Sequence, residues 1–203
     1  MSKPGIGSAE AKAQDGLYFD TSIGMWVAKI LPGAYLASSR EMVIATVLGS
    51  CVAACLYDRA SGVFGMNHFM LPGGNGEASK SMRYGAYAME VLLNEMFKLG
   101  ARRERLEAKV TGGAAVFPAM KLLNVGERNA AFVIDYLKTE GIPIRATDLE
   151  GQYARKIYLY GATGRLRVRQ LRSLRNDTVP RRDAEYLARL QNAQVAGEVS
   201  LFT

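Results

Sequence analysis

The hydrophobic and polar residues of the chain fall into short blocks that predict a series of β-strands. Residues 42–48 are almost all apolar or β-branched, and the run stops at Gly49 and Ser50, a combination typical of a buried strand followed by a tight turn. Residues 161–164 predict a hairpin between the last two strands. The predicted strands cover residues 42–48, 51–57, 63–71, 106–110, 142–146, 155–160 and 165–171.

Two other segments have the spacing of amphipathic helices. In the first, apolar residues recur three and four positions apart from Met82 to Phe97, and Gly100 stands where a C-terminal cap belongs. The second runs from about residue 126 to residue 140 and is followed by Gly141. The order of strands, helix, strand, helix and strands predicts an α+β fold, a layered α/β sandwich with two main helices packed on a mixed sheet.

The two ends of the chain lack this patterning. Residues 1–24 are polar and rich in Gly and Ala without periodicity, which predicts a mobile N-terminal segment. Residues 173–203 predict a polar C-terminal tail, with a short helix expected near residues 184–190. The folded domain is therefore expected to cover residues 25–172.

Composition narrows the class of protein. With 203 residues, 49% of them hydrophobic, the chain has enough apolar material for one domain with tails. No run approaches the roughly 18 apolar residues of a membrane span, and the first twenty residues show no signal-peptide pattern. We therefore expect a cytoplasmic protein without membrane insertion. Two cysteines and one histidine predict neither a disulfide framework nor a zinc site, so no metal or other cofactor is expected.

The formal net charge of +7 raises the question of an acidic partner. The excess is concentrated late in the chain, in seven arginines between Arg165 and Arg182. No recognised nucleic-acid motif accompanies them, so nucleic acid is not expected as a partner. A solvated strand face is the favoured interpretation. Docking on an acidic protein surface is the alternative, and binding that does not respond to salt would argue against it.

The chemistry-bearing residues point to one pair of side chains. Because the chain has a single histidine, any Cys-His or Ser-His mechanism must use His68, which lies at the end of a predicted strand before a Gly-rich loop. Cys51 follows the Gly49-Ser50 turn, where a sulfur is exposed and a backbone N–H is free to face an oxyanion. Its thiol needs a base to ionise. A structural histidine and a buried cysteine remain the alternatives, and Cys55 is expected in the core.

Four sequence segments resemble a known family. They are residues 46–58 (TVLGSCVAACLYD), 66–72 (MNHFMLP), 107–114 (EAKVTGGA) and 124–129 (NVGERN). Together they are similar to the CheD family of chemoreceptor glutamine deamidases over about residues 27–171. Around Glu150 the chain departs from the family, where paired glycines are expected.

The resemblance implies an α/β sandwich related to bacterial toxin deamidases and the hydrolysis of receptor glutamine side chains to glutamate, with release of ammonia. It implies that Cys51 is the nucleophile, that His68 is the base and that Thr46 orients His68. Gly49, Ser50 and Val52 belong to the turn at which backbone N–H groups would hold the oxyanion. The implied substrate is the cytoplasmic helices of a chemoreceptor.

Two alternatives remain open at this point. A cysteine peptidase would use the same pair of residues, because both reactions cleave an amide. A non-catalytic chemotaxis adaptor that binds a CheC-type phosphatase, a partner known for CheD-like proteins, would not need the thiol at all. Ammonia release without a new peptide terminus separates the first alternative from deamidation, and signalling that survives Cys51→Ala would support the second.

Overall fold

Two five-stranded sheets form the frame of the protein. The computed structural model describes residues 16–72, 78–116, 124–172 and 178–192. The strands are β1 Leu17–Asp20, β2 Met25–Lys29, β3 Tyr35–Ser38, β4 Val43–Leu48, β5 Val52–Asp58, β6 Val63–Asn67, β7 Leu106–Gly112, β8 Ile144–Leu149, β9 Ala154–Tyr160 and β10 Arg165–Leu171. The helices are α1 Ala78–Lys98, α2 Val125–Thr139 and α3 Thr178–Asn192, with one turn of 3₁₀ helix at Arg103–Arg105.

Both sheets are mixed. The first has the strand order β1-β2-β4-β9-β10 and the second β3-β6-β5-β7-β8. Pairing is parallel between β2 and β4 and between β7 and β8, and antiparallel elsewhere. The α+β layered fold predicted from the element order is confirmed. The strands are divided between two sheets, however, which the order of elements alone does not reveal.

The core has two layers, and β5 lies between them. Side chains from both sheets meet in one apolar cluster, to which β5 contributes Ala53 and Cys55. The other face of β5 packs against α1 and α2, through residues such as Leu92 and Val133. A strand buried on both faces needs a continuous apolar run rather than an alternating one, which explains the composition of residues 51–57.

Several sequence predictions need correction. The predicted strand 63–71 ends at Asn67, and beyond it only Phe69 forms an isolated bridge, with Val52. Met82 does not face the core but is 54% exposed. The rest of the predicted apolar face of α1 is confirmed by the burial of Met89, Leu93 and Met96, and Leu92 is buried beside them.

Regular secondary structure also reaches further than predicted towards both ends of the chain. The prediction of a mobile segment over residues 1–24 is too long, because Leu17–Asp20 pairs with β2; residues 1–15 lie outside the described residues. At the other end, the helix expected near residues 184–190 extends from Thr178 to Asn192. It places Tyr186, Leu187 and Leu190 in the core between the sheets.

The late arginines take different positions. In β10, Arg165, Arg167 and Arg169 are exposed and alternate with partly buried apolar residues, as expected of a solvated strand face. Arg182 behaves differently. It is partly buried on α3 and donates a hydrogen bond to the Val47 carbonyl.

Candidate active site

The turn between β4 and β5, residues 49–51, is held by three hydrogen bonds to its carbonyl groups. The Gly49 carbonyl accepts from Ala114 N at 2.9 Å, and the Ser50 carbonyl accepts from Asn129 Nδ2 at 2.8 Å. The Cys51 carbonyl accepts from Gly113 N at 2.8 Å. Gly112 makes the close approach possible, because it has φ +118° and a Cβ there would collide with the Cys51 carbonyl. The segment Thr111–Ala114, which the sequence analysis singled out only as part of the EAKVTGGA motif, therefore fixes the backbone of the candidate nucleophile.

Asn129 is a positioning residue that the sequence analysis missed. Its side chain is fully buried on α2, where it donates to the Ser50 carbonyl and accepts from Leu71 N at 2.8 Å. It thereby joins residues 49–51, which contain the candidate nucleophile and are called the nucleophile turn below, to the segment that follows His68. The available signal was its place in the NVGERN motif, next to the apolar face of a predicted helix.

Thr46 and His68 are joined by a buried hydrogen bond. Thr46 Oγ1 lies 2.8 Å from the Ile30 carbonyl oxygen and 2.8 Å from His68 Nδ1. A carbonyl can only accept, so the single hydroxyl proton goes to Ile30, and His68 Nδ1–H donates to the threonine oxygen. The neutral imidazole then carries its free lone pair on Nε2, which has no hydrogen-bond partner among the described residues. This is the form that a general base requires.

The backbone of His68 is fixed as well. Its N–H donates to the Ala34 carbonyl at 2.9 Å, and its carbonyl accepts from Gly33 N at 2.7 Å. Beside it, a cavity of about 60 Å³ is bordered by His68, Tyr84 and Ala88. That volume admits more than one water molecule.

Cys51 and His68 each precede one residue of an antiparallel bridge and project from the same face of it. Val52 and Phe69 exchange both backbone hydrogen bonds at 3.0 Å in an antiparallel bridge. This register places Cys51 diagonally across from His68, a relationship with a Cβ–Cβ distance of at most about 7–8 Å. Both side chains are fully buried between the sheets. No hydrogen bond joins them in the described residues, because the thiol lies instead towards Asp183, with Sγ 3.9 Å from Oδ1.

Asp183 belongs to α3, which covers the nucleophile turn. Its Oδ2 accepts from Ser50 N at 2.7 Å and from Ser50 Oγ at 2.9 Å. A Cβ on Gly49 would collide with the same carboxylate oxygen, so the glycine makes room for it. Further along α3, Tyr186 Oη lies 2.6 Å from Tyr84 Oη. None of these contacts was predicted, because α3 falls in the segment assigned to a polar tail.

The electrostatic environment keeps the pair neutral. Burial, and next the Asp183 carboxylate, raise the pKa of the Cys51 thiol well above its ordinary value. Burial, followed by the positive charge of Arg182, lowers the pKa of His68 to about 3. The pKa of Asp183 is raised by burial. With α3 in place, the site therefore contains a thiol and a neutral imidazole rather than a thiolate and an imidazolium.

The predicted set of backbone N–H groups that would hold the oxyanion needs one correction. The Val52 N–H bonds to the Phe69 carbonyl, so Val52 is not free to hold an oxyanion. The Ser50 N–H points at a carboxylate oxygen, which shows that an anionic oxygen fits there. Cys55 is buried in the core, as expected, and burial raises its pKa to about 12.

The described residues contain no group of three or more His, Cys, Asp or Glu side chains that could hold a metal ion. Among the described helices, none is long and apolar enough to cross a membrane.

Comparison with solved structures gives only weak similarity. A hypothetical protein of Bacillus licheniformis, YfiH, aligns with 14% identity and a TM-score of 0.38 over 56% of this chain and 49% of its own. A DUF152 protein of Neisseria meningitidis aligns with 11% identity and a TM-score of 0.40 over 64% and 66%.

Sequence comparison is far more specific. The family model described as CheD chemotactic sensory transduction matches residues 70–170. A protein of Thiobacillus denitrificans named "Probable chemoreceptor glutamine deamidase CheD" is 52% identical, over 95% of this chain and 98% of its own. A protein of the same name from Methylobacillus flagellatus is 49% identical over 95% and 98%. Similarity of this extent shows that the chain belongs to the CheD family.

Proposed function

We propose that this protein hydrolyses glutamine side chains of chemoreceptors to glutamate, with Cys51 as the nucleophile and His68 as the base. The observation that carries the proposal is the hydrogen bond from His68 Nδ1–H to Thr46, which leaves Nε2 bare on the face that also bears Cys51. The substrate class comes from the names of the relatives, which are about 50% identical over nearly the whole chain.

The reaction begins with proton transfer. His68 Nε2 takes the proton of Cys51, and the thiolate attacks the carbon of the glutamine amide. The resulting tetrahedral intermediate collapses when its C–N bond breaks and the imidazolium returns the proton to the leaving ammonia. A water molecule, activated by the same imidazole, then hydrolyses the thioester. The products are ammonia and a glutamate side chain, and the thiol is regenerated.

Stabilisation of the oxyanion falls to the nucleophile turn. The Ser50 N–H already donates to a carboxylate oxygen at 2.7 Å, which is the geometry that a developing oxyanion needs. The three bonds that hold the turn carbonyls keep this N–H pre-oriented. Removing one such donor in other enzymes costs about 10²–10³ in rate, so the rigidity of the turn matters for turnover.

The proposed substrate explains how the reaction would alter signalling. Each conversion adds one negative charge to a receptor helix, and a charge on a helix surface changes its interactions with residues three and four positions away. Because those receptor helices are cytoplasmic, the proposal also places this protein in the cytoplasm.

Deamidation and peptide cleavage are separated by their products. Purified protein is incubated with a receptor cytoplasmic fragment, and both ammonia and new peptide termini are measured. Deamidation releases ammonia and raises the mass of a glutamine-containing peptide by about one dalton, without new termini. New termini without ammonia would identify a peptidase instead. Receptor binding without either product would favour the adaptor.

A further inference from the structure

Helix α3 occupies the approach to the candidate nucleophile. Its Asp183 side chain accepts two hydrogen bonds from Ser50 and lies 3.9 Å from Cys51 Sγ. With α3 in this position both Cys51 and His68 are fully buried, so no external side chain reaches the sulfur. A reaction on another protein therefore requires that α3 move.

The carboxylate of Asp183 has the chemical form of the proposed product. A glutamate side chain formed at Cys51 would place one oxygen on the oxyanion donor and the other near the sulfur. Asp183 Oδ2 lies on the Ser50 N–H and Oδ1 on the sulfur side, in the same arrangement. A carboxylate has no ammonia to release, so Asp183 can occupy this site without being consumed.

The surface on which α3 packs leaves room for the side chains of a helix. Gly49 lies under Asp183, where a Cβ would collide with the carboxylate. Gly33 lies under Tyr186, where a Cβ would come within 2.9 Å of Oη. These two glycines leave room for side chains one helical turn apart on the same face. A surface that admits a helix carrying a reactive side chain at this depth is what the proposed substrate needs.

We infer that α3 is an internal mimic of the substrate helix, with Asp183 in the position of the reacting glutamine, and that a receptor helix must displace it before catalysis. This inference rests on the proposed deamidase function. Displacement would replace a charged carboxylate beside the thiol with a neutral amide, so it removes the Asp183 charge that opposes ionisation of Cys51. Binding of the correct substrate and activation of the nucleophile are thereby coupled.

The attachment of α3 is suited to release. Its buried apolar contacts are few, chiefly Val179, Tyr186, Leu187 and Leu190, and its opposite face carries exposed charged residues such as Arg181 and Glu185. Its polar contacts to the nucleophile turn come mainly from Asp183. A helix held in this way opens at a lower free energy than the sheets it covers.

Whether α3 covers Cys51, referred to below as the cover, is tested by alkylation of Cys51 in the full-length protein. Iodoacetamide labelling is followed by mass spectrometry for wild type, Asp183→Ala and Glu185→Ala, the last being an exposed residue of the same helix. Asp183→Ala should label faster by at least roughly tenfold, because the hydrogen bonds to a charged group that hold α3 are lost. Glu185→Ala should label as wild type does. Equal labelling of all three proteins would overturn the inference.

A second variant guards against misfolding of Asp183→Ala. Tyr186→Phe keeps the buried ring but removes the hydrogen bond to Tyr84 and leaves the Asp183 carboxylate in place. It should also increase labelling, by a few-fold. If Tyr186→Phe labels at the wild-type rate while its far-ultraviolet circular dichroism is unchanged, α3 does not control access to Cys51.

The mimicry itself is tested by Asp183→Asn, which presents a carboxamide to the nucleophile. Attack by Cys51 followed by loss of ammonia and hydrolysis converts Asn to Asp, a gain of about one dalton at residue 183. The same substitution combined with Cys51→Ala should show no gain. Conversion that does not depend on Cys51, or a labelled thiol without conversion, would overturn the mimicry.

Failure of the inference and failure of the function give different results. If Asp183→Ala exposes the thiol but no receptor glutamine is converted, the cover stands and the deamidase proposal is wrong. If wild type and Asp183→Ala label equally and both convert receptor glutamine at the same rate, the function stands and the cover is wrong. If Asp183→Ala converts receptor glutamine more slowly without faster labelling, Asp183 assists the reaction and the inference fails.

Discussion

Thr46 and His68 form a buried hydrogen bond of 2.8 Å whose direction is determined by the Ile30 carbonyl. Since the hydroxyl proton of Thr46 is used on that carbonyl, the imidazole must donate from Nδ1 and present a bare Nε2. A threonine on one sheet thus determines the tautomer of a histidine that directly follows a strand of the other sheet. The orientation of the base depends on how the two sheets pack.

Thr46→Val should lower the rate of receptor deamidation by at least roughly tenfold, because the tautomer and orientation of His68 are no longer enforced. Thr46→Ser keeps the hydroxyl and should recover most of the rate. Rates are measured by mass spectrometry on a receptor fragment. A Val variant as active as wild type, or a Ser variant as poor as Val, would show that the hydroxyl does not act through His68.

The labelling of Cys51 should depend on pH in a particular way. In wild type the rate is expected to rise with pH through the neutral range without levelling off, because the thiol pKa is raised well above its ordinary value. The Asp183 carboxylate opposes formation of a second negative charge, so Asp183→Ala should shift the profile to lower pH. With the pKa of His68 lowered to about 3, no inflection near its ordinary pKa of 6.5 is expected in wild type. A shift to higher pH would contradict this assignment.

Asn129→Ala should reduce both stability and activity. The substitution leaves the buried Ser50 carbonyl and Leu71 N–H without partners, at a cost of about 2–4 kcal/mol for the two groups. Urea unfolding measures the free energy, with exposed Asp135→Ala on the same helix as the control. If Asn129→Ala unfolds at the same urea concentration as Asp135→Ala, Asn129 does not hold the turn.

Asp58 accepts hydrogen bonds from Arg102 N–H and the Arg105 side chain, and it should contribute to the stability of the fold in a pH-dependent manner. Burial alone would raise its pKa, but hydrogen bonds from the Arg105 side chain and the Arg102 N–H lower it from 3.8 to about 2. A lowered pKa in the folded state means that this stabilisation is complete above the unfolded pKa and is lost as pH falls towards about 2. Wild type should therefore lose about 1–2 kcal/mol more than Asp58→Asn between about pH 5 and pH 2. Parallel losses in denaturant titrations would refute the assignment.

Glu150, the departure from the expected paired glycines, occupies a backbone conformation that favours glycine. Its φ is +62°, next to Gly151 at +80°. Glu150→Gly should stabilise the protein by about 0.5–1 kcal/mol, because it removes left-handed strain that exceeds the entropic cost of glycine. The midpoint of thermal unfolding measures the effect. A lower midpoint would mean that the Glu150 side chain makes a contact more valuable than the strain it causes.

The sequence predicted well those features that depend on a short local pattern or on a residue type that occurs once. The apolar run before Gly49 marks β4 and the turn, and the single histidine leaves one candidate base. What it missed depends on packing between distant segments. Asn129 and Ser50 are 79 positions apart, and no local pattern on α2 reveals that they meet.

The length of helix α3 and its packing over the turn were missed for a related reason. A mostly charged segment at the end of a chain is typical of a tail, and its few apolar residues gave only a short predicted helix. Whether such a helix packs on the domain depends on whether the domain has a surface for it. Here Gly33 and Gly49 provide that surface. Binding of a CheC-type phosphatase stays a prediction.

The central claim is that the Cys51 sulfur attacks a receptor glutamine. The most direct measurement is the rate at which one receptor glutamine gains mass when the fragment is incubated with wild type, Cys51→Ala or Cys55→Ala, the last removing an equally buried thiol of the core. We expect Cys55→Ala to retain activity and Cys51→Ala to lose it by at least roughly a thousandfold. Conversion by Cys51→Ala at a rate close to that of wild type would contradict the account.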